Sequence, residues 1–256
     1  MPGNSETPRA VRQVSDEPSP RRLLSSETVY EGRIWDVVSD CFQLKDDGEP
    51  LVRDYIDHPG AVAVLPMNDA GEVLLIRQYR HPVGMDLWEI PAGLLDVEGE
   101  DFVVGAAREL AEEADLIAGQ WNVLTDFFNS PGSSSEAIRI YLARGLSEVP
   151  RHQLHVRTDE EAEIEFHWIP LDAAVTAVLA GRLHNPSAVV GVLAAAAARA
   201  DNFEGLRPAG APWPAHPAGA ERGNVDRRTA GGGAAGARTS SRRCPCKGAC
   251  APADRD

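Results

Sequence analysis

The sequence predicts an α/β chain of the α+β kind, with a mixed β-sheet held between helices. Three observations carry that reading. Runs of β-branched or alternating residues, broken by turn chemistry, fill residues 28–80 and 121–171. A helical spacing of apolar residues begins at Val103, and two more helical stretches follow the last strand-like run. Strands and helices are interleaved without the regular alternation of a parallel sheet, which favours a mixed one.

Taken in order, residues 1–24 are polar and rich in Pro, Arg and Ser, which predicts a flexible leader. A domain over residues 25–206 follows. "TVYEGRIWDVVSDCFQL", "LVRDYIDH", "AVAVLPM" and "EVLLIRQYR" read as four strands, separated by "KDDGEP", "PG" and "NDAG", whose Gly, Pro, Asn and Asp supply turns. A helix lies between "PAGLLDVEGED" and Asp115. "WNVLTDFF", "AIRIYLAR" and "EIEFHWIPL" read as three more strands. "DAAVTAVLAGR" and "PSAVVGVLAAAAARA" read as helices, opened by Asp172 and by Asn185 or Pro186. Residues 207–256 hold almost no aliphatic content and nine Lys/Arg against four Asp/Glu, which predicts a disordered basic tail. Its removal is expected to leave turnover nearly unchanged.

The 256 residues, 43% of them hydrophobic, suffice for an ordinary globular core. A formal net charge of -14 argues against nucleic-acid and anionic-membrane partners, because phosphate backbones are bound through Lys and Arg. No apolar run reaches the roughly 18 residues that span a bilayer. The first residues lack the apolar centre of a signal peptide, so the expected location is the cytoplasm. Cys41 lies in a strand-like run, and Cys244, Cys246 and Cys250 in "CPCKGAC" lack the paired spacing of a zinc site and read as incidental.

The stretch "AARELAEEADL" crowds Glu109, Glu112 and Glu113 at i, i+3 and i+4, where each like-charge pair costs roughly 0.2–0.5 kcal/mol. On a helical wheel Val103, Ala107, Leu110, Ala114 and Ile117 share one arc and the glutamates another. The helix is therefore expected to pack on one side and to show carboxylates on the other. A merely solvated face would carry lysines four residues on, whereas the one nearby base is Arg108. Hard divalent cations such as Mg²⁺ or Mn²⁺ take oxygen ligands and are commonly held by carboxylates together with substrate phosphates.

From Gly93, "GLLDVEGEDFVVGAARELAEEADL" resembles the Nudix box, G-x5-E-x7-R-E-U-x-E-E-x-G-U with U aliphatic. Gly93, Arg108, Glu109, Leu110, Glu112, Glu113 and Leu116 match in order. There are two departures. The loop between Gly93 and Arg108 is one residue longer, so the first box glutamate is Glu98 or Glu100. Asp115 stands where the pattern has Gly, at a helix end where a left-handed conformation is usual and Asp tolerates it better than most residues. The resemblance implies the Nudix α/β/α sandwich, a mixed sheet with an N-terminal antiparallel β-meander, and metal-dependent hydrolysis of a nucleoside diphosphate linked to another group.

That resemblance also implies roles. Glu109, Glu113 and Glu112, with the Ala92 carbonyl, would hold the metal, and Arg108 would orient the glutamates. Pro131 falls sixteen residues after Asp115, the spacing of the ADP-ribose pyrophosphatase branch. "SPGSSSEAIRIY" looks like the mobile loop of that branch, whose glutamate activates water or completes a metal site. Glu136 is the matching residue. Arg77 and Arg80, which cannot share one face of a regular strand, suit diphosphate or ribose recognition or else pair with carboxylates. Glu89 in "WEIPAG" would touch ribose or a metal-bound water, and Trp35 or Tyr79 would stack on adenine. His58, His81, His155 and His167 form no recognisable ligand set and read as structural or surface. Glu160, Glu161, Glu163 and Glu165 read as a solvated acidic edge, or else supply a further carboxylate to the site. The implied reaction converts ADP-ribose to AMP and ribose 5-phosphate in a homodimer whose residues 28–57 pack across the partner. The alternatives are another nucleoside diphosphate derivative, such as an NDP-sugar or NADH, or a non-catalytic nucleotide sensor.

Overall fold

The computed structural model describes residues 14–97, 99–157 and 163–216. The chain opens as an antiparallel meander of β1 (Arg22–Tyr30), β2 (Asp36–Gln43) and β3 (Pro50–Asp57). The long run expected as a single strand over residues 28–44 is two strands. Gly32 makes the break: a Cβ there would lie 2.1 Å from the Trp35 carbonyl oxygen, and its N–H donates to Asp36 Oδ1 at 3.1 Å. β1 also begins at Arg22, inside the expected leader, because it is held by backbone pairing to β2 and not by a buried face. Hydrophobic patterning shows only its last three residues, Thr28, Val29 and Tyr30.

β4 (Ala61–Pro66) is buried along its whole length and sets the layers. Successive side chains of a strand point to opposite faces. Val62 and Val64 meet one apolar cluster with Ala106, Leu110 and Tyr141; Ala63 and Leu65 meet another with Ile140, Leu142, Ala188, Val192 and Ala195. The first cluster lies under α1 (Phe102–Ala114). The second lies under α2 (Leu171–Leu179) and α3 (Pro186–Arg199).

Between β4 and α1 run β5 (Glu72–Arg80), β6 (Met85–Glu89) and β7 (Ala92–Leu94). β8 (Leu116–Phe128), β9 (Ala137–Glu148), β10 (Glu165–Pro170) and β11 (Arg207–Pro208) complete the strands among the described residues. The central sheet has the order β11-β8-β9-β4-β7, with β4 and β9 parallel and its other pairs antiparallel. β10, β5 and β6 form a separate antiparallel sheet. The α/β sandwich and its mixed sheet are as the sequence predicts. α3 begins at Pro186, with Asn185 Oδ1 accepting the Ala188 N–H at 3.0 Å as its cap. No helix among the described residues is long and apolar enough to cross a membrane.

The expected boundary at residue 206 does not hold. β11 pairs with β8, and the chain then runs over Arg139, which is fully buried. Asp126 accepts from Arg139 at 2.8 and 3.1 Å, and the Ala211 and Pro212 carbonyls accept at 2.7 and 3.2 Å. Trp213 stacks over the guanidinium at 4.8 Å and is itself buried. Burial opposes the charge of Arg139, and the Asp126 hydrogen bonds more than restore it, so its pKa rises. Aromatic rings and carbonyl groups hold residues 207–216 in place, with little aliphatic burial. The remaining tail, with its three cysteines, lies outside the described residues.

Candidate active site

The site is built where α1 crosses β7. In and beside β7 the backbones of Pro91, Gly93 and Leu95 face β4, since Val64 donates to the Pro91 carbonyl and Leu95 donates to that of Gly60. The alternation of an antiparallel ladder then turns the backbone of Ala92 to the open sheet edge. The Ala92 N–H is taken up there by Glu113 Oε2 at 2.9 Å. Gly93 lies under Glu109, and a Cβ on it would meet the Glu109 Cδ at 2.0 Å. Glycine is required there by close approach.

The helix face differs from the expected one. Glu109 and Glu113 are buried beside Ala106 and Leu110, while Ala107 is exposed and Ile117 has left the helix for β8. The glutamates are turned inward over the β7 edge, with Arg108 among them. Its guanidinium donates to Glu109 at 2.5 Å, to Glu112 at 3.3 Å and to Glu100 at 3.3 and 3.4 Å. The hydrogen bond to Glu100 is the largest influence on Arg108; against partial burial, and helped by Glu109, it holds the cation charged above its ordinary value. Of the two candidates for the first box glutamate, Glu100 bonds Arg108, and Glu98 lies outside the described residues. α1 ends on Asp115 with φ 56°, the left-handed position foreseen for it. Arg157 holds this end, donating to the Glu112 carbonyl at 3.0 Å and to Asp115 Oδ2 at 2.5 Å.

A cleft of about 860 Å³ opens over these residues. It brings together Trp35, Arg80, Glu89, Ala92, Arg108, Glu109, Glu112, Glu113 and Glu136. Arg80, the last residue of β5, grips the buried Glu89 through both carboxylate oxygens at 2.8 and 2.6 Å. Arg77 does not reach the cleft: it faces a separate depression with Tyr79 and pairs with Asp86 at 3.1 Å and Glu165 at 3.8 Å. Pro131 sits exposed outside the cleft lining. Of the two candidate stacking rings, only Trp35 lines the cleft. Among the acidic-edge residues, Glu163 and Glu165 are exposed, and Glu160 and Glu161 fall outside the described residues.

Glu136 enters from the β8–β9 turn. Asn129 Nδ2 donates to its Oε2 at 2.7 Å, and His58 Nε2 lies 3.8 Å from its Oε1. The segment expected as a mobile loop is hydrogen-bonded to the end of β3: Ile56 donates to the Ser133 carbonyl, Ser135 donates back to that of Ile56, and Ser135 Oγ accepts the His58 N–H at 2.9 Å. His58, read as structural or surface, is thus a residue of the cleft. Asn129, Gln78 and Ser187 also line it and were missed. The one signal was that "DHPG" and "FFNSPG" flank strand ends, where sites form.

The residues fit a hard divalent cation. The donors on this face are carboxylates and a backbone carbonyl, with no thiol among them. No three His, Cys, Asp or Glu side chains converge as a ready cage among the described residues, and Arg108 pairs with Glu100, Glu109 and Glu112.

Comparison with known proteins agrees with this geometry. Residues 57–189 match the model of the NUDIX domain. The chain is 43% identical over 190 residues to an ADP-ribose pyrophosphatase of Mycobacterium tuberculosis, covering 74% of this chain and 89% of that one. It is 32% identical over 171 residues to a methanol dehydrogenase activator of Bacillus methanolicus, covering 67% and 90%. The crystal structure of an ADP compounds hydrolase superposes with a TM-score of 0.60 at 22% identity, over 73% of this chain and 99% of that one, a likeness of fold. A carboxylate-bearing helix packed on a glycine, in a sandwich of this topology and with these relatives, places the chain in the Nudix hydrolase family, on the branch of the ADP-ribose pyrophosphatases.

Proposed function

We propose that this enzyme hydrolyses the diphosphate of ADP-ribose to AMP and ribose 5-phosphate, with Mg²⁺ or Mn²⁺ as cofactor. The observation that carries the reading is that the box glutamates, Glu136 and the Arg80–Glu89 pair line one cleft, about 860 Å³ in volume. Clefts of this size hold nucleotide-scale ligands. Similarity to the mycobacterial enzyme supports ADP-ribose as the substrate.

Glu109, Glu113, Glu112 and the Ala92 carbonyl would hold the metal, which when bound neutralises phosphate charge and makes water a better nucleophile. Glu136 takes the proton of the attacking water as its oxygen bonds to one phosphorus. The P–O bond to the bridging oxygen breaks, and the second phosphate leaves with that oxygen. Arg108 keeps the glutamates apart from one another and aimed at the cleft. Arg80, set by Glu89, faces the diphosphate or ribose, and Trp35 stacks on adenine. Arg77 and Pro131, away from the cleft lining, have no part in this assignment.

We place the enzyme in the cytoplasm as a homodimer. Exposed Val29, Tyr30 and Ile34 on the N-terminal meander, beside Trp35, supply apolar area for a partner.

Hydrolysis of ADP-ribose, NADH, GDP-mannose, diadenosine polyphosphates and CoA, each with Mg²⁺, Mn²⁺ or EDTA, tests the reading. AMP released fastest from ADP-ribose, and abolished by EDTA, is expected. Faster release from another substrate would replace ADP-ribose, and no turnover with any metal would favour a nucleotide sensor.

A further inference from the structure

The carboxylate assigned as base is hydrogen-bonded on one side and faced by an imidazole on the other. Asn129 and Glu136 close the β8–β9 turn, with the Asn129 N–H donating to the Glu136 carbonyl at 2.9 Å. The same asparagine donates through Nδ2 to Glu136 Oε2 at 2.7 Å. On the other side is the His58 ring, whose Nδ1 accepts the Gly60 N–H at 3.0 Å. A neutral imidazole carries one proton, so with Nδ1 accepting, that proton is on Nε2. Nε2 is the atom 3.8 Å from Glu136 Oε1. His58 is itself fixed by its backbone, whose N–H reaches Ser135 Oγ next to Glu136 in the chain.

We propose that Asn129 and His58 are positioning residues for the reaction: each presents an N–H to one oxygen of Glu136, and together they aim its carboxylate into the cleft. A lone glutamate on a turn has three rotatable side-chain bonds, and a misplacement of about 1 Å in a reacting group costs as much as 10²-fold in rate. A hydrogen bond on one oxygen and an imidazole facing the other, 3.8 Å away, restrict that freedom. The inference rests on Glu136 being the base.

The test is the steady-state hydrolysis of ADP-ribose with Mg²⁺ by the full-length chain and a set of variants, each checked by a circular-dichroism melt. His58→Asn keeps an acceptor for the Gly60 N–H and loses the group facing Glu136; His58→Gln keeps a donor of comparable reach. Asn129→Ala leaves the backbone hydrogen bond to Glu136 and removes only the side-chain donor. Asn129→Ala and His58→Asn are expected to lower kcat by roughly tenfold or more with KM within about twofold, while His58→Gln recovers most of the loss. In a Glu136→Gln background neither change is expected to lower kcat further, because both act through Glu136.

Equal kcat for His58→Asn and wild type, or effects that multiply with Glu136→Gln, would overturn the inference while leaving Glu136 as base. Wild-type turnover by Glu136→Gln would overturn both. If His58→Asn melts early, Asn129→Ala and its combination with Glu136→Gln decide the matter alone.

Discussion

Gly93 and Glu109 approach so closely that a methyl group on the first would lie 2.0 Å from the carboxylate carbon of the second. The contact puts a helix carboxylate against a strand backbone, with no side chain between them. Gly93→Ala is therefore expected to push Glu109 off its seat and lower kcat by about 10²-fold. Glu109→Gln keeps the shape and removes the charge, and is expected to lower kcat at least as much with an unchanged melting temperature. Wild-type kcat in Glu109→Gln would remove Glu109 from the metal site.

Arg77 and Arg80 separate by environment. Arg77 and Asp86 are both about half exposed, and such pairs contribute about 0–1 kcal/mol. Arg77→Ala is expected to leave KM and melting temperature nearly unchanged. Arg80→Ala strands the buried Glu89 carboxylate and is expected to raise KM and to lower the melting temperature by several degrees. Matching KM values for the two variants would refute the distinction.

Asp115 and Arg157 replace a glycine end with a charged one. Asp115→Ala keeps the side-chain penalty of the left-handed conformation and loses the pair with Arg157, and is expected to cost about 1–2 kcal/mol in urea denaturation. Asp115→Gly loses the pair but relieves the backbone, so its stability should stay within about 1 kcal/mol of wild type. A glycine variant as weak as the alanine one would mean that the ion pair, and not the backbone, governs this helix end.

The end of the domain can be located by truncation. A chain ending at residue 216 is expected to melt and turn over like the full chain. One ending at residue 206 loses the Ala211 and Pro212 acceptors and the Trp213 stack on Arg139, and is expected to lose roughly 3 kcal/mol or more. Identical melting of the two truncations would show that Asp126 alone satisfies Arg139.

The sandwich was legible because its code is local. β4 alternates apolar residues to both faces, α3 announces its start with Asn185 and Pro186, and the spacing of Gly93, Arg108, Glu109 and Glu113 is a long, specific signature. What was not legible rests on contacts distant in sequence. β1 is held by backbone pairing that any side chains permit. β7 is too short to show a period. The wheel misplaced the glutamates because it assumes that carboxylates seek water, whereas Glu109 and Glu113 find Arg108, the Ala92 N–H and a glycine surface instead. His58 and Asn129 meet Glu136 only once the ends of β3 and β8 are brought together, and Arg139 finds its acceptors 72 and 73 residues further on.

That last separation bears on how the protein is made. Translation delivers the core strands and α1, α2 and α3 before it delivers Ala211, Pro212 and Trp213. Until those residues clear the ribosome, a nascent chain with β9 in place carries the Arg139 guanidinium paired with Asp126 but without its carbonyl acceptors and its Trp213 cover. Completion of the domain thus waits on its last described segment, and a chain released after α3 would carry its carboxylate-bearing helix with the closing latch still unmade.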